Sequence, residues 1–290
     1  MGKTIKNYEK LTFTDDFMFS KILSTDLELC KELIELILGK KISAVKLAES
    51  QKTVKLTSEG KGVRFDVYTL DKGGASYDVE MQTTKKKNIP KRTRFYHSVN
   101  TLDRLQKGED YSALRDSYVI FICTDGLPNG RSLPVYTYRM RSDEDSSDTL
   151  NDGCVTVFVN ANGEMDGISK ELRDFLAYLK TGQVQDNSSG LTARLHQRLL
   201  QAKESKEWRL EYMQLAEKIE EAREEGFAEG KKKGQKKGEK KGEKKGEKKG
   251  EKKLGLLISM LIKDGRVEDA QKASLDKKTR KKLYEHYSIS

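Results

Sequence analysis

The sequence predicts an α/β fold with a helical, Lys- and Gly-rich C-terminal region, and three observations lead to this prediction. Two amphipathic helices open the chain. Alternating apolar and polar residues over 62–70 and 76–83 then indicate a hairpin, followed by a helix over 90–106. The segment SYVIFIC at 117–123 is uninterruptedly apolar, which is typical of a strand in the middle of a sheet. Helices and strands that alternate in this order favour an α/β unit.

The first two helices are marked by their end residues. Thr14 can cap a helix over DDFMFSKIL, and Asp26 can cap a second helix, LELCKELIELIL, which ends at Gly39. Short strands are predicted after it, near 42–48 and 52–56.

Three polar side chains share one face of the predicted hairpin. Side chains on a strand repeat every two residues, so Asp66 lies on the polar face of the first strand, and Glu80 and Gln82 on that of the second. Two carboxylates on adjacent strands can converge, and Mg²⁺ takes one or two protein carboxylates together with water and phosphate. The alternation equally fits ordinary solvent-facing residues on amphipathic strands, and by itself it does not separate the two interpretations.

The positive charge is concentrated in one segment. The net charge is +10, and the 13 Lys and 4 Glu between residues 231 and 253 contribute +9 of it, which leaves +1 for the remainder. Gly recurs every fourth residue from 226 to 250, with KKGE as the unit. Each Gly costs a helix about 1 kcal/mol relative to Ala, so the segment is predicted to be disordered or marginally helical. A solvated linker and a non-specific tether for DNA phosphates both fit this composition.

These features predict five regions along the chain. They are a catalytic domain over 1–182, a linker over 183–190, a long helix over 191–225, the repeat over 226–253 and short helices over 254–290. The last helices offer a surface for a homodimer. No apolar run approaches the length of a membrane span, and the first residues include no apolar signal segment, so we expect a cytoplasmic protein with no membrane partner.

Other kinds of site find little support in the sequence. Cys30, Cys123 and Cys154 are widely spaced and form no CxxC pair, which argues against structural zinc. There is no GxSxG element, and the glycines of the repeat lack the Lys-Ser/Thr of a phosphate-binding loop. His97, on the helix that follows the hairpin, is interpreted as a structural or exposed residue.

Four segments together resemble a known family. The segments TFTDDFMFSKIL, RFDVYTLDKGGASYDVEMQ, IPKRTRFYHSVNTLDRLQKGEDY and SYVIFICTDG resemble the PD-(D/E)XK nuclease family transposases, also called Rpn or recombination-promoting nucleases. The resemblance covers roughly residues 10–180. It implies a restriction-endonuclease-like core, in which helices flank a mixed central sheet. It also implies an endonuclease that uses Mg²⁺ or Mn²⁺ to cleave DNA in recombination or transposition.

The resemblance also implies roles for individual residues. Asp66 matches the motif aspartate, and Glu80 and Gln82 match the (D/E)-x-(K/Q) element, so these three are the expected catalytic residues. Asp66 and Glu80 are the expected metal ligands, and Asp16 matches an acidic position that completes metal binding. Arg92 and Tyr96 match positions on the following helix that meet the substrate phosphate.

One position departs from the motif that gives the family its name. Gln82 stands where that motif has Lys, and a Gln side chain can only form hydrogen bonds, whereas Lys also stabilises negative charge. Lys85 lies close enough in the sequence to replace it at the substrate. The alternative is a catalytically weak or inactive protein that keeps the fold and binds DNA or another partner.

Overall fold

The structure is a computed structural model, and it divides into two compact units, Met1–Gln214 and Leu215–Ser290. The residues that it describes are 5–47, 53–54, 63–127, 131–185 and 190–289. The first unit contains the sheet and the five helices around it. It extends beyond residue 182, the end of the predicted catalytic domain, because the helix that follows packs against the helices before it. Half of the predicted linker, residues 186–189, lies outside the described residues.

Five helices belong to the first unit: α1 (Asp16–Thr25), α2 (Leu27–Leu38), α3 (Ile89–Arg104), α4 (Lys170–Thr181) and α5 (Gly190–Glu204). The predicted ends of α2 are confirmed, since the Asp26 side chain accepts from the N–H of Leu29 at 3.1 Å and Gly39 is left-handed with φ of 63°. At the start of α1 the capping position is Asp15 rather than Thr14. The Asp15 carboxylate turns back to accept from the N–H of Thr12 at 2.8 Å.

Eight strands are described: β1 (Val45–Leu47), β2 (Thr53–Val54), β3 (Val63–Arg64), β4 (Val67–Asp71), β5 (Ser76–Gln82), β6 (Ser117–Cys123), β7 (Val135–Tyr138) and β8 (Cys154–Asn160). Among these, six form one sheet in the order β1-β4-β5-β6-β8-β7, and β2 pairs with β3. The β5–β6 and β6–β8 pairs are parallel, whereas the other pairs of the sheet are antiparallel. The predicted mixed sheet with flanking helices is therefore confirmed. Residues 48, 52 and 55–56 of the predicted early strands lie outside the described residues.

Both faces of the central strands are buried. Val119, Phe121 and Cys123 of β6 face a core that also contains Tyr96 and Val99 of α3. The alternate residues of β6 point to the opposite face, and they too are buried. All seven residues of β5 are likewise buried. The interpretation of the polar face of β5 as solvent-facing is therefore wrong, because the sheet is covered on both sides.

The predicted strand over 62–70 is interrupted. β3 ends at Arg64 and β4 begins at Val67, with a bend at Asp66 between them. The reason lies in the hydrogen bonds, because the N–H of Asp66 donates to the Glu80 side chain at 3.0 Å instead of to a strand. A backbone donor that leaves a sheet needs another acceptor when it is buried.

Two helices occupy the region where one long helix over 191–225 is predicted. α5 ends at Glu204, and the next helix, α6 (Lys206–Lys263), begins directly after Ser205. The hydroxyl of Ser205 accepts from the N–H of Trp208 at 3.2 Å, which is the hydrogen bond of a helix N-cap. The break therefore follows from a good capping residue that the apolar periodicity conceals.

The second unit consists of most of α6 together with α7 (Val267–Leu275) and α8 (Lys277–His286). The short helices pack on the end of α6 around a small core, which contains Leu257, Leu261, Ala270, Ala273 and Leu283. The repeat over 226–253 is helical, although its glycines predict at most a marginal helix. Within the described residues, no helix combines the length and the apolar character that crossing a membrane requires.

Candidate functional site

Asp66 and Glu80 are held at one point by reciprocal hydrogen bonds between neighbouring strands. The Asp66 carboxylate accepts from the N–H of Met81 at 3.1 Å, and the Glu80 carboxylate accepts from the N–H of Asp66 at 3.0 Å. The pairing of Val67 with Val79 sets this register. Each carboxylate thus accepts a backbone N–H of the other strand in place of a hydrogen bond of the sheet ladder. The bend at Asp66 brings the two carboxylates together.

Two side chains of α3 contact the second oxygen of Glu80. Arg92 Nη2 donates to Glu80 Oε2 at 3.2 Å, and the Tyr96 hydroxyl donates to the same oxygen at 3.1 Å. Arg92 also donates to the Tyr96 hydroxyl at 2.9 Å. The two residues are one helical turn apart, which places them on the same face of α3. Although they are predicted to meet substrate, in the structure they bind Glu80.

Gln82 is fully engaged with the protein. Its Oε1 accepts from Arg92 Nη1 at 2.8 Å, and its Nε2 donates to the carbonyl of Thr84 at 2.7 Å and to the Thr84 hydroxyl at 3.0 Å. Arg92 therefore bridges Glu80 and Gln82 with its two terminal nitrogens. Through these hydrogen bonds, Gln82 positions the Arg92 side chain and stabilises the turn after β5.

Burial dominates the electrostatics of this cluster. It raises the pKa of Glu80, the nearby Asp66 carboxylate raises it further, and Arg92 and Tyr96 only partly oppose them. Asp78, two residues earlier on the same strand face, is completely buried, and burial followed by the charges of Glu80 and Asp66 raises its pKa as well. Like charges in a dry site disfavour a second ionised carboxyl. A cation beside Glu80 would offset this repulsion.

A polar cleft of about 180 Å³ opens onto these groups. It is lined by six of the predicted residues, which are Asp16, Asp66, Glu80, Gln82, Arg92 and Tyr96, and also by Lys86. The predicted Lys85 lies outside this lining, and its N–H donates to Asp125 Oδ2 at 3.2 Å. Lys86 is thus the lysine of the run Lys85-Lys86-Lys87 that lines the cleft, together with the cationic Arg92.

A larger groove of about 500 Å³ lies elsewhere, along α2. Three of its charged side chains are paired with one another, since Lys41 Nζ contacts Glu35 Oε2 at 2.8 Å and Lys31 Nζ lies 3.6 Å from Glu35 Oε1. This pairing, with Ile42 N–H as a further donor, lowers the pKa of Glu35 against the opposing effect of its burial. The groove therefore has the features of a structural ion-pair network rather than those of a reactive site.

The carboxylates fit a hard divalent cation. Asp66 and Glu80 are oxygen ligands in a polar cleft, and Mg²⁺ needs only one or two such ligands from the protein. Over the described ranges, no three or more His, Cys, Asp or Glu side chains form a cluster suited to a metal. Asp16 lines the same cleft as Asp66 and Glu80, and the assignment of all three as metal ligands stays a prediction.

Two features of the site are missing from the sequence interpretation. Strand periodicity alone places Asp78 on the same face as Glu80. Only the structure shows that this face is buried, so that a charge on Asp78 would affect Glu80. Lys86 belongs to the run Lys85-Lys86-Lys87, and nothing in the sequence distinguishes one lysine of that run from the next.

His97 is a partly buried structural residue on the side of α3 that meets the sheet. Its Nδ1 lies 2.9 Å from the Ser117 hydroxyl, and its Nε2 lies 3.1 Å from the Thr156 hydroxyl. Burial lowers the pKa of His97 to about 4, and Asp152 only slightly opposes this. The neutral imidazole ring links β6 and β8 through these two hydroxyls. This structural role is one of the two interpretations made from the sequence.

The lowered pKa of His97 predicts a loss of stability in acid. The unfolded chain protonates this histidine below pH about 6.5, whereas the folded chain resists protonation down to about pH 4. The stabilising contribution is therefore present above pH about 6.5 and falls by up to about 3 kcal/mol as pH drops through this window. Urea unfolding followed by the fluorescence of the single tryptophan, Trp208, measures it. His97→Gln should flatten the pH dependence, and the exposed His286→Gln should not.

Comparison with known proteins agrees with this geometry. A model of the PD-(D/E)XK nuclease family transposases matches residues 13–227, which is well over half of the chain and includes every residue of the cleft. No curated protein and no solved structure matches the chain. The family match spans the sheet, the helices α1 to α5 and the first part of α6. The chain therefore belongs to the PD-(D/E)XK nuclease family transposases.

Proposed function

We propose that this protein is a divalent-metal-dependent DNA endonuclease whose metal ligands are Asp66 and Glu80. The observation that carries the proposal is the pair of reciprocal hydrogen bonds, which fixes two carboxylates at the mouth of one polar cleft. Mg²⁺, or Mn²⁺ in its place, is the cation expected there. When bound, such an ion polarises a phosphodiester and lowers the pKa of a coordinated water molecule.

The remaining residues of the cleft have supporting roles. Arg92 and Tyr96 hold Glu80 Oε2 toward the cleft, so that Glu80 does not have to be ordered when substrate arrives. Gln82 fixes Arg92 in turn. We assign the contact with a DNA phosphate to Lys86 rather than to Lys85, because Lys86 lines the cleft. The roles of Arg92 and Tyr96 as ligands of the substrate phosphate stay predictions.

A second candidate is a catalytically weak DNA-binding protein that keeps the nuclease fold. The observation that favours it is that Gln82, which stands in place of the motif Lys, is hydrogen-bonded to Arg92 and Thr84. This position therefore supplies no Lys that could stabilise the transition state. Among the residues that line the cleft, Lys86 is the lysine that could take this role.

Incubation of the full chain with supercoiled plasmid distinguishes the two candidates. With Mg²⁺ or Mn²⁺ the endonuclease converts supercoiled DNA to nicked and linear forms, and EDTA stops the conversion. Retarded migration without any nicked product, at several metal concentrations, would favour the second candidate and overturn the first.

The wider biological assignments follow from this activity. Recombination or transposition is the process in which we place the cleavage, and a DNA substrate accords with the cytoplasmic location expected from the sequence. A homodimer through the C-terminal helices stays a prediction, which sedimentation of the full chain at two concentrations tests.

A further inference from the structure

The basic repeat, defined as residues 226–253, is part of the long helix α6. Its residues up to 252 are exposed, and it presents two lysines in nearly every four-residue unit. Four residues advance an α-helix by about 6 Å, so the 23 residues from 231 to 253 cover about 34 Å. That length is close to one turn of double-stranded DNA, about 34–36 Å.

The glycines of the repeat have no steric purpose within the chain. A methyl group added at Gly234, Gly238, Gly242 or Gly246 would meet no atom within 4 Å, and these glycines are helical. Gly is the least favourable helix residue after Pro. Seven such glycines from 226 to 250 therefore lower the stability of this helix without serving its packing.

The period of four also works against the helix through charge. Residues four apart are neighbours on a helix surface, and from residue 236 onward the charged ones carry like charges, as Lys240 and Lys244 do. Opposite charges meet four apart at Glu229 and Lys233, which pair at 2.7 Å, and three apart at Lys240 and Glu243. Like charges four residues apart destabilise a helix. A polyanion along the lysines would offset this repulsion and stabilise the helix.

We infer that the basic repeat binds the phosphate backbone of double-stranded DNA and becomes a stable helix on binding. Duplex DNA carries one negative charge per about 1.7 Å of its axis, and binding lysines release its condensed counterions. Apart from Phe227 near its start, the basic repeat contains no aromatic side chain, so it lacks the series of stacking platforms with which proteins hold single strands. The inference rests on the proposed function only for the choice of DNA as the partner.

The test uses the full chain, a 30-base-pair duplex and EDTA, so that no cleavage occurs. Hydrogen exchange of the backbone amides in 231–253 should slow at least tenfold when the duplex is added. Exchange that is unchanged by a saturating duplex would overturn the inference. A single strand of equal length that protects the segment as well as the duplex does would also overturn it.

A matched pair of variants separates specific contact from overall charge. Changing Lys244, Lys245, Lys248 and Lys249 to Gln should weaken duplex binding at least tenfold. It should also lower the slope of log K against log salt by up to about 3.6, at about 0.9 per lost phosphate contact. The same change at four exposed lysines of α8, which are Lys277, Lys278, Lys281 and Lys282, should alter affinity less than threefold. Equal effects of the two variants would contradict the assignment.

A third variant tests the coupling between helix formation and binding. Replacing Gly234, Gly238, Gly242 and Gly246 with Ala stabilises the helix in advance, so binding should tighten several-fold with an unchanged salt slope. Weaker binding would contradict the coupling and would indicate that the glycines allow close approach of another chain. All of these measurements are made without metal. DNA binding by the repeat and DNA cleavage by the cleft can therefore be confirmed or refuted independently.

Discussion

Replacing Asp66 with Asn is expected to weaken Mn²⁺ binding at least about 100-fold, since even the outer partners of a metal ligand are worth about 10–100-fold. The Asn side chain can still accept from the N–H of Met81, so the bend before β4 is kept. What is lost is one of the two carboxylate charges that offset the removal of water from the cation. Titration of the full chain with Mn²⁺, followed by electron paramagnetic resonance, measures the affinity.

Asp143 offers the matched control for this substitution. It lies exposed in the loop between β7 and β8 and does not line the cleft, so Asp143→Asn removes an equal charge outside the site. The control should bind Mn²⁺ with the affinity of the unaltered chain. Equal affinities of the Asp66→Asn and Asp143→Asn variants would show that the metal, if bound, is held elsewhere.

Replacing Arg92 with Met is expected to lower the free energy of unfolding by about 2–3 kcal/mol. Removal of one partner leaves the other charge buried and unpaired, which costs about 3–5 kcal/mol for a fully buried pair. The Glu80 side chain is only 4 % exposed, but that of Arg92 is 26 % exposed, which moderates the loss. Arg92 also covers the ring of Phe121, with its guanidinium carbon 4.9 Å from the ring centroid. Urea unfolding monitored by Trp208 fluorescence reports the change.

The cause of this loss can be separated from a simple packing defect. If the unpaired charge is responsible, the double variant Arg92→Met, Glu80→Gln should recover about half of the lost stability. Arg94→Met, an exposed position on the same helix, should cost under about 0.5 kcal/mol. A double variant no more stable than Arg92→Met alone would refute the electrostatic explanation.

Local chemistry makes much of this fold predictable from sequence. Asp26 and Gly39 delimit α2 because a capping carboxylate and a left-handed glycine act on their immediate neighbours. The apolar run at 117–123 indicates a strand covered on both faces, and β6 is such a strand. The alternation in SYDVEMQ correctly places Glu80 and Gln82 on one face, because strand geometry alone determines it.

The remaining features depend on contacts between distant parts of the chain. The bend at Asp66 arises because the Glu80 carboxylate, 14 residues away, accepts its N–H. Whether Arg92 meets substrate or Glu80 depends on how α3 docks on the sheet, which a single sequence does not encode locally. The choice of Lys86 over Lys85 likewise depends on the direction of the chain after β5.

Cleavage of supercoiled plasmid by the full chain and its Asp66→Asn variant, side by side in Mn²⁺, tests the central claim most directly. The predicted result is a fall in the initial rate of nicking of about 1000-fold or more, which corresponds to about 4 kcal/mol of transition-state stabilisation. The Asp143→Asn control should cleave at the unaltered rate. Equal nicking by the Asp66→Asn variant and the unaltered chain would contradict the assignment of Asp66 and Glu80 as the metal site of a nuclease.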